Sequence, residues 1–283
     1  YTAKRFCFTS TNTSDSLYRI IIFMALDTYE SVLMETNTSR HPSLSALLEV
    51  GLMFLPAIPA YLWAWPNLEG LQLEIFQSLA YIYILAGTLF IGLRRWNWDQ
   101  LGLNRRGLWL TFWCGLAILA ARLMIILSIN WDLQPPRFTI PQIAWDLFFY
   151  FCLVGLVEEL LFRGLIYRLL EDWRGLRWAI WGSSFGFLLW HVFGQGPLAG
   201  MATFVIGLLF ALIRWRAGGI LGLIIFHGLW DLETVWLVSD SNAQLLGNLN
   251  QITFTNQALV MIGTLLLVLV PIYLWKIHPL IKR

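Results

Sequence analysis

The chain has 283 residues, 58% of them hydrophobic and only 13% charged, with a formal net charge of +2; its mean hydropathy is +0.65. Soluble domains carry about 25% charged residues, so this composition excludes an ordinary soluble protein and marks a polytopic membrane protein. The near-neutral balance gives no footprint for nucleic acid, and Cys7, Cys114 and Cys152 are too scattered for a disulfide framework or a CxxC site.

Residues 1–40 are rich in Thr and Ser, and their only apolar run, LYRIIIFMAL (17–26), is interrupted by Arg19 and too short to span a bilayer. This stretch reads as a poorly structured N-terminal extension. METNTSRHPSLSALLEV from Met34 makes a natural start, so 1–33 are expected to be an upstream extension outside the native protein, without a functional role. Residues 41–283 read as one helical membrane domain.

Apolar runs of spanning length recur at 44–66, 72–93, 107–129, 141–166, 178–193, 198–213, 219–238 and 256–275. Alternate loops hold the positive charge: Arg40, then Arg94, Arg95, Arg105 and Arg106, then Arg168, Arg174 and Arg177, then Arg214 and Arg216, and finally Lys276, Lys282 and Arg283. The opposite loops hold Arg137 and little else, so both termini are expected in the cytoplasm. Tryptophans fall near span ends as interfacial anchors (Trp63, Trp65, Trp109, Trp131, Trp178, Trp275). The fold class is therefore all-α, a polytopic bundle of about eight transmembrane helices around a polar cavity, with the lipid bilayer as its surroundings. Oligomeric state is not legible.

A charge at the bilayer centre costs roughly 2.5–3.5 kcal/mol on insertion scales, so each one calls for a partner or a task. Glu49, Glu74 and Asp146 lie within two turns or so of a helix end, where a solvated placement is expected. Arg122 is deeper, with Asp146 as a candidate partner, and Glu233 has no assignment. The remaining polar residues, Glu158, Glu159, Arg163, His191, His227 and Asp231, sit on three helices.

Spacing brings these together. The WRGLR turn (173–177) lies midway between Glu158 and His191, each about 14 positions away, or roughly 21 Å at 1.5 Å per residue. His227 and Asp231 lie roughly 12–18 Å beyond the 214–218 turn at the same face. Three sequence-distant groups thus share one layer. Glu159 and Arg163, at i and i+4, can pair along one face and support the site. Glu158, about 100° away around the helix, is left free. Asp231, one turn after His227, either orients its imidazole or presents an oxygen to the same point.

A carboxylate with two imidazoles suits hydrolysis. Glu158 would act as general base, with His191 sharing the water or shuttling its proton. His227 and Asp231 would stabilise an oxyanion. Glu158, His191 and His227 are equally the ligand types of a catalytic zinc, so a zinc site and a metal-free, glutamate-activated water are both open. No H-E-x-x-H occurs. GSSFG (182–186) matches a nucleophile elbow in letters only, since it lies inside an apolar helix; there Gly182 and Gly186 form a packing face, and Ser184 is not a nucleophile.

EELLFR (158–163), FLLWH (187–191) and HGLWD (227–231) resemble the E-E-x-x-x-R, F-x-x-x-H and H-x-x-x-N/D motifs of the CPBP family of intramembrane proteases. That family includes CAAX-processing endopeptidases and bacteriocin-processing or immunity proteins. The resemblance covers a motif core at 141–238. It implies a membrane endopeptidase acting on a protein or peptide substrate at the bilayer, with Glu158 and His191 as the water-activating pair. His227 and Asp231 then match the oxyanion pair, and Glu159 with Arg163 the supporting pair. Position 231 is Asp here and Asn in the prenyl-CAAX enzymes, which argues against transferring that substrate directly. Two rival classes use the same residues: a proton-coupled transporter, and a non-catalytic immunity or scaffold protein of the same fold.

Overall fold

Within hydrocarbon no water is present to satisfy peptide groups, so a spanning segment must close its own hydrogen bonds. The computed structural model describes residues 44–128, 139–195 and 197–237, with 269–271, 273, 274 and 276. They form helices, and no strand occurs among them. α1 spans Leu44–Asn67, α2 Gly70–Leu93 and α3 Leu108–Ser128. α4 runs from Ile140 to Arg174 as one 35-residue helix. α5 spans Leu176–Gln195, α6 Pro197–Ala217 and α7 Leu221–Leu237.

The all-α membrane architecture expected from composition is the one adopted. Among the described residues four helices, Ser45–Ala64, Gly70–Leu93, Leu108–Ile125 and Ile140–Arg174, are long and apolar enough to cross a membrane. Their outward faces are apolar, with Leu48, Leu52, Leu55, Leu79, Phe90 and Phe112 all exposed, as a lipid-facing surface requires. Trp63, Trp109 and Trp178 are also exposed, as anchors should be. The eighth expected span, 256–275, lies largely outside the described residues, and so do the N-terminal extension, Trp131, Trp275 and the chain termini.

α4 is the axis of the molecule, packing against α2, α5 and α7. Thr139 caps its start by accepting from the Gln142 N–H at 3.4 Å. Its end is Gly175, whose φ of +83° only glycine adopts freely, so the chain reverses there into α5. The expected span stopped at 166; α4 instead continues to Arg174, because Arg168 pairs with Glu171 at 3.1 Å and Asp172 at 2.9 Å along its surface. α4 is not uniformly α-helical. Phe148–Gly155 and Leu160–Ile166 are π-helical and bracket four α-helical residues, Leu156–Glu159. Such turns are rare and concentrate at functional sites.

Three placements differ from expectation. Asp146 is buried rather than solvated and accepts from Trp236 Nε1 at 2.9 Å. Arg122 pairs not with Asp146 but with Glu233 at 3.4 Å, and donates to the Trp230 carbonyl at 2.8 Å while lying 3.9 Å over its ring. Arg214, assigned from the sequence to the 214–218 turn, lies within α6, where it is buried and donates to the Arg163 carbonyl at 3.2 Å and the Gln100 carbonyl at 3.2 Å. The π turn explains the first of these bonds: the Tyr167 N–H goes to Phe162 and Gly164, skipping the Arg163 carbonyl that an α-helix would use. Glu49 is tied to Arg95 at 2.7 Å, and Glu74 is exposed.

Candidate active site

The two π turns present Glu158 and Glu159 from the middle of α4, both buried. Burial of a carboxylate demands hydrogen bonds or an opposite charge, and each glutamate meets that demand differently. Glu159 lies 2.9 Å from Arg163 Nη1, with both side chains wholly buried, so the expected i, i+4 pair forms. The guanidinium also donates to the Gly207 carbonyl of α6 at 3.4 Å and lies 4.2 Å over the Phe187 ring and 5.0 Å over that of Phe210.

Glu159 has a second task that spacing did not reveal. Its Oε1 accepts from His227 Nδ1 at 2.8 Å. The Nδ1–H therefore belongs to Glu159, and His227 Nε2 is turned toward Glu158 Oε2 at 3.7 Å and Asp231 Oδ2 at 3.6 Å. Glu159, not Asp231, fixes this ring; Asp231 presents an oxygen to the same point, the second of the two roles open from sequence. Neighbouring carboxylates thus address opposite nitrogens of one imidazole. The close approach behind this needs small residues: a Cβ on Gly155 would lie 2.8 Å from the Ile224 carbonyl and 3.4 Å from the Gly228 N.

His191 arrives on α5 from the far side of the hairpin, level with Glu158 as the turn arithmetic predicts. Its Nδ1 donates to the Phe187 carbonyl one turn back, at 2.9 Å, which leaves Nε2 facing Glu158 Oε2 at 3.8 Å. The first residue of F-x-x-x-H therefore works twice, through its carbonyl on His191 and through its ring under Arg163.

Glu158 is held asymmetrically. Its Oε1 accepts from Tyr81 at 2.8 Å and from Trp190 Nε1 at 2.9 Å, whereas its buried Oε2 has no hydrogen-bond partner among the described residues. Separations of 3.7 and 3.8 Å to the two imidazoles exceed a direct hydrogen bond and fit a bridging water. Asp231, its side chain 23% exposed, is the most open of these groups. All six site residues expected from sequence are brought together. Two were missed, Tyr81 and Trp190. Trp190 lies inside FLLWH beside His191, and a tyrosine hydroxyl in the apolar run AYIYILA (80–86) itself calls for a partner.

Ser184 is buried and donates to the Ile180 carbonyl at 2.7 Å, while Gly182 and Gly186 face Leu170 and Phe162 of α4, the packing role expected for GSSFG. Glu158, His191 and His227 are ligand types for zinc, whose tetrahedral donors at about 2.0–2.2 Å lie about 3.3–3.6 Å apart, within a few tenths of an ångström of the 3.7 and 3.8 Å found here. Among the described residues no group of three or more His, Cys, Asp or Glu is arranged to hold a metal ion.

The fold and this cluster define a helical membrane protein with a buried carboxylate–imidazole site. Residues 140–232 match the family model for type II CAAX prenyl endopeptidase Rce1-like proteins, consistent with the CPBP/CAAX protease family and, at family level, with a membrane endopeptidase. The match takes in Glu158, Glu159, Arg163, His191, His227 and Asp231. No curated protein matches the chain.

Proposed function

We propose that this protein is an intramembrane endopeptidase that hydrolyses a peptide bond of a membrane-associated substrate, with Glu158 as the base. The observation that carries this reading is Glu158 Oε2, buried, without a hydrogen-bond partner among the described residues, and facing two imidazole nitrogens at 3.7 and 3.8 Å. A water in that gap donates one proton toward Oε2 and one toward His191 Nε2. As its oxygen attacks the substrate carbonyl carbon, Oε2 takes the proton and the carbonyl electron pair moves onto oxygen. His227, giving Nδ1–H to Glu159, donates Nε2–H to that oxyanion, and Asp231 stands beside Nε2 as counter-charge. Collapse breaks the C–N bond, and the proton on Glu158 passes to the leaving amine.

The test uses purified protein in liposomes with two probes, a farnesylated peptide with a C-terminal CAAX sequence and an apolar transmembrane peptide. Mass spectrometry identifies the products. Glu158→Gln and His191→Ala are each expected to lower the rate about 10²–10⁴-fold without unfolding the protein. Full cleavage by either variant, or none by the parent, overturns the reading. With Glu158 as the base, chelation with 1,10-phenanthroline is expected to leave the rate unchanged; zinc-restorable loss would make a metal held by Glu158, His191 and His227 the activator.

A further inference from the structure

The asymmetry at Glu158 extends beyond the expected residues. Resting on the endopeptidase reading, we propose that Tyr81 and Trp190 are positioning residues: together they clamp Glu158 Oε1 and thereby aim Oε2 at the water. The two donors come from different helices, Tyr81 from α2 and Trp190 from α5, and both bonds end on the same oxygen, at 2.8 and 2.9 Å. A carboxylate turns about its last bond, so one doubly held oxygen fixes where the other points. The bare oxygen is the one that faces His191 and His227.

The clamp is itself braced. The Tyr81 and Trp190 rings meet edge to face at 6.3 Å. Phe149 of α4 stands edge-on to Tyr81 at 6.0 Å, and Phe54 of α1 to Trp190 at 5.9 Å. The neighbouring rings thus limit the freedom of both donors. Tyr81 also lies outside the 140–232 stretch that matches the family model, so the matched region does not contain everything that holds its carboxylate.

The test compares Tyr81→Phe and Trp190→Phe with the parent. Each keeps an aromatic ring and loses a donor. On whichever of the two peptides the parent cleaves, kcat is expected to fall about 10–100-fold with KM unchanged, since a base displaced by a fraction of an ångström leaves substrate binding intact. Parental kcat in both variants, or a rise in KM alone, overturns the clamp while the endopeptidase reading stands. A second readout needs no cleavage. In ¹⁵N-indole spectra the Trp190 N–H, identified by its loss in Trp190→Phe, is expected downfield in the parent and shifted upfield by Glu158→Gln. An indole signal indifferent to Glu158→Gln overturns the clamp even where no peptide is cut. A parent that cleaves neither peptide but shows the indole shift overturns only the endopeptidase reading.

Discussion

At the scale of single residues, His227 is the most constrained group in the site, gripped at Nδ1 by one glutamate and faced at Nε2 by its neighbour. Arg163 makes this affordable, since its guanidinium lies 2.9 Å from Glu159 with both side chains wholly buried. Removing it leaves the carboxylate in a dry interior with His227 alone to hold it. Arg163→Met is expected to destabilise the protein by about 3–5 kcal/mol, the usual cost of breaking a buried pair. The double variant with Glu159→Gln, which leaves no charge behind, should be less affected. Denaturant unfolding in detergent measures both, and a double variant as unstable as the single would show that the pair is not what holds the helix. Spacing along the helix was enough to find this pair and the level placement of Glu158 and His191. It was not enough for Tyr81, whose bond to Glu158 spans 77 positions with no periodic signal, or for the partners of Arg122, which depend on how α3 and α7 pack.

At the scale of elements, the contact between α4 and α7 decides whether His227 reaches both carboxylates. Gly155 and Gly228 let these backbones approach, and a Cβ at Gly228 would meet the Phe151 ring at 2.7 Å. Gly155→Ala is accordingly expected to cost about 1–3 kcal/mol through overpacking. Gly51→Ala, on a helical face with nothing within 4 Å, should be neutral or slightly stabilising. Equal unfolding of the two variants would contradict the close approach. The π turns that shape this contact were not legible in the sequence. Every residue of FFYFCLVG (148–155) is apolar or small, so hydrophobic periodicity carries no mark of where an N–H reaches five residues back rather than four.

At the scale of the whole molecule, the charges buried deepest gather around α4, and α1, α2 and α3 turn apolar side chains outward. Composition and run length made this division legible: the expected spans at 44–66, 72–93 and 107–129 coincide with α1, α2 and α3 to within a few residues. They could not reveal that the fourth span is much longer than a bilayer requires. At 1.5 Å per residue the 35 residues of α4 extend about 50 Å, against a hydrocarbon thickness of about 30 Å. Its last turns, YRLLEDWR (167–174), are charged, but the apolar stretch 140–166, about 40 Å at that rise, still exceeds the hydrocarbon and meets the mismatch by tilting. Glu158 stands close to the middle of Ile140–Arg174, and a rod that tilts about its centre moves its ends while its centre keeps its depth. The level of the carboxylate is therefore buffered against changes in membrane thickness, whichever bilayer surrounds it.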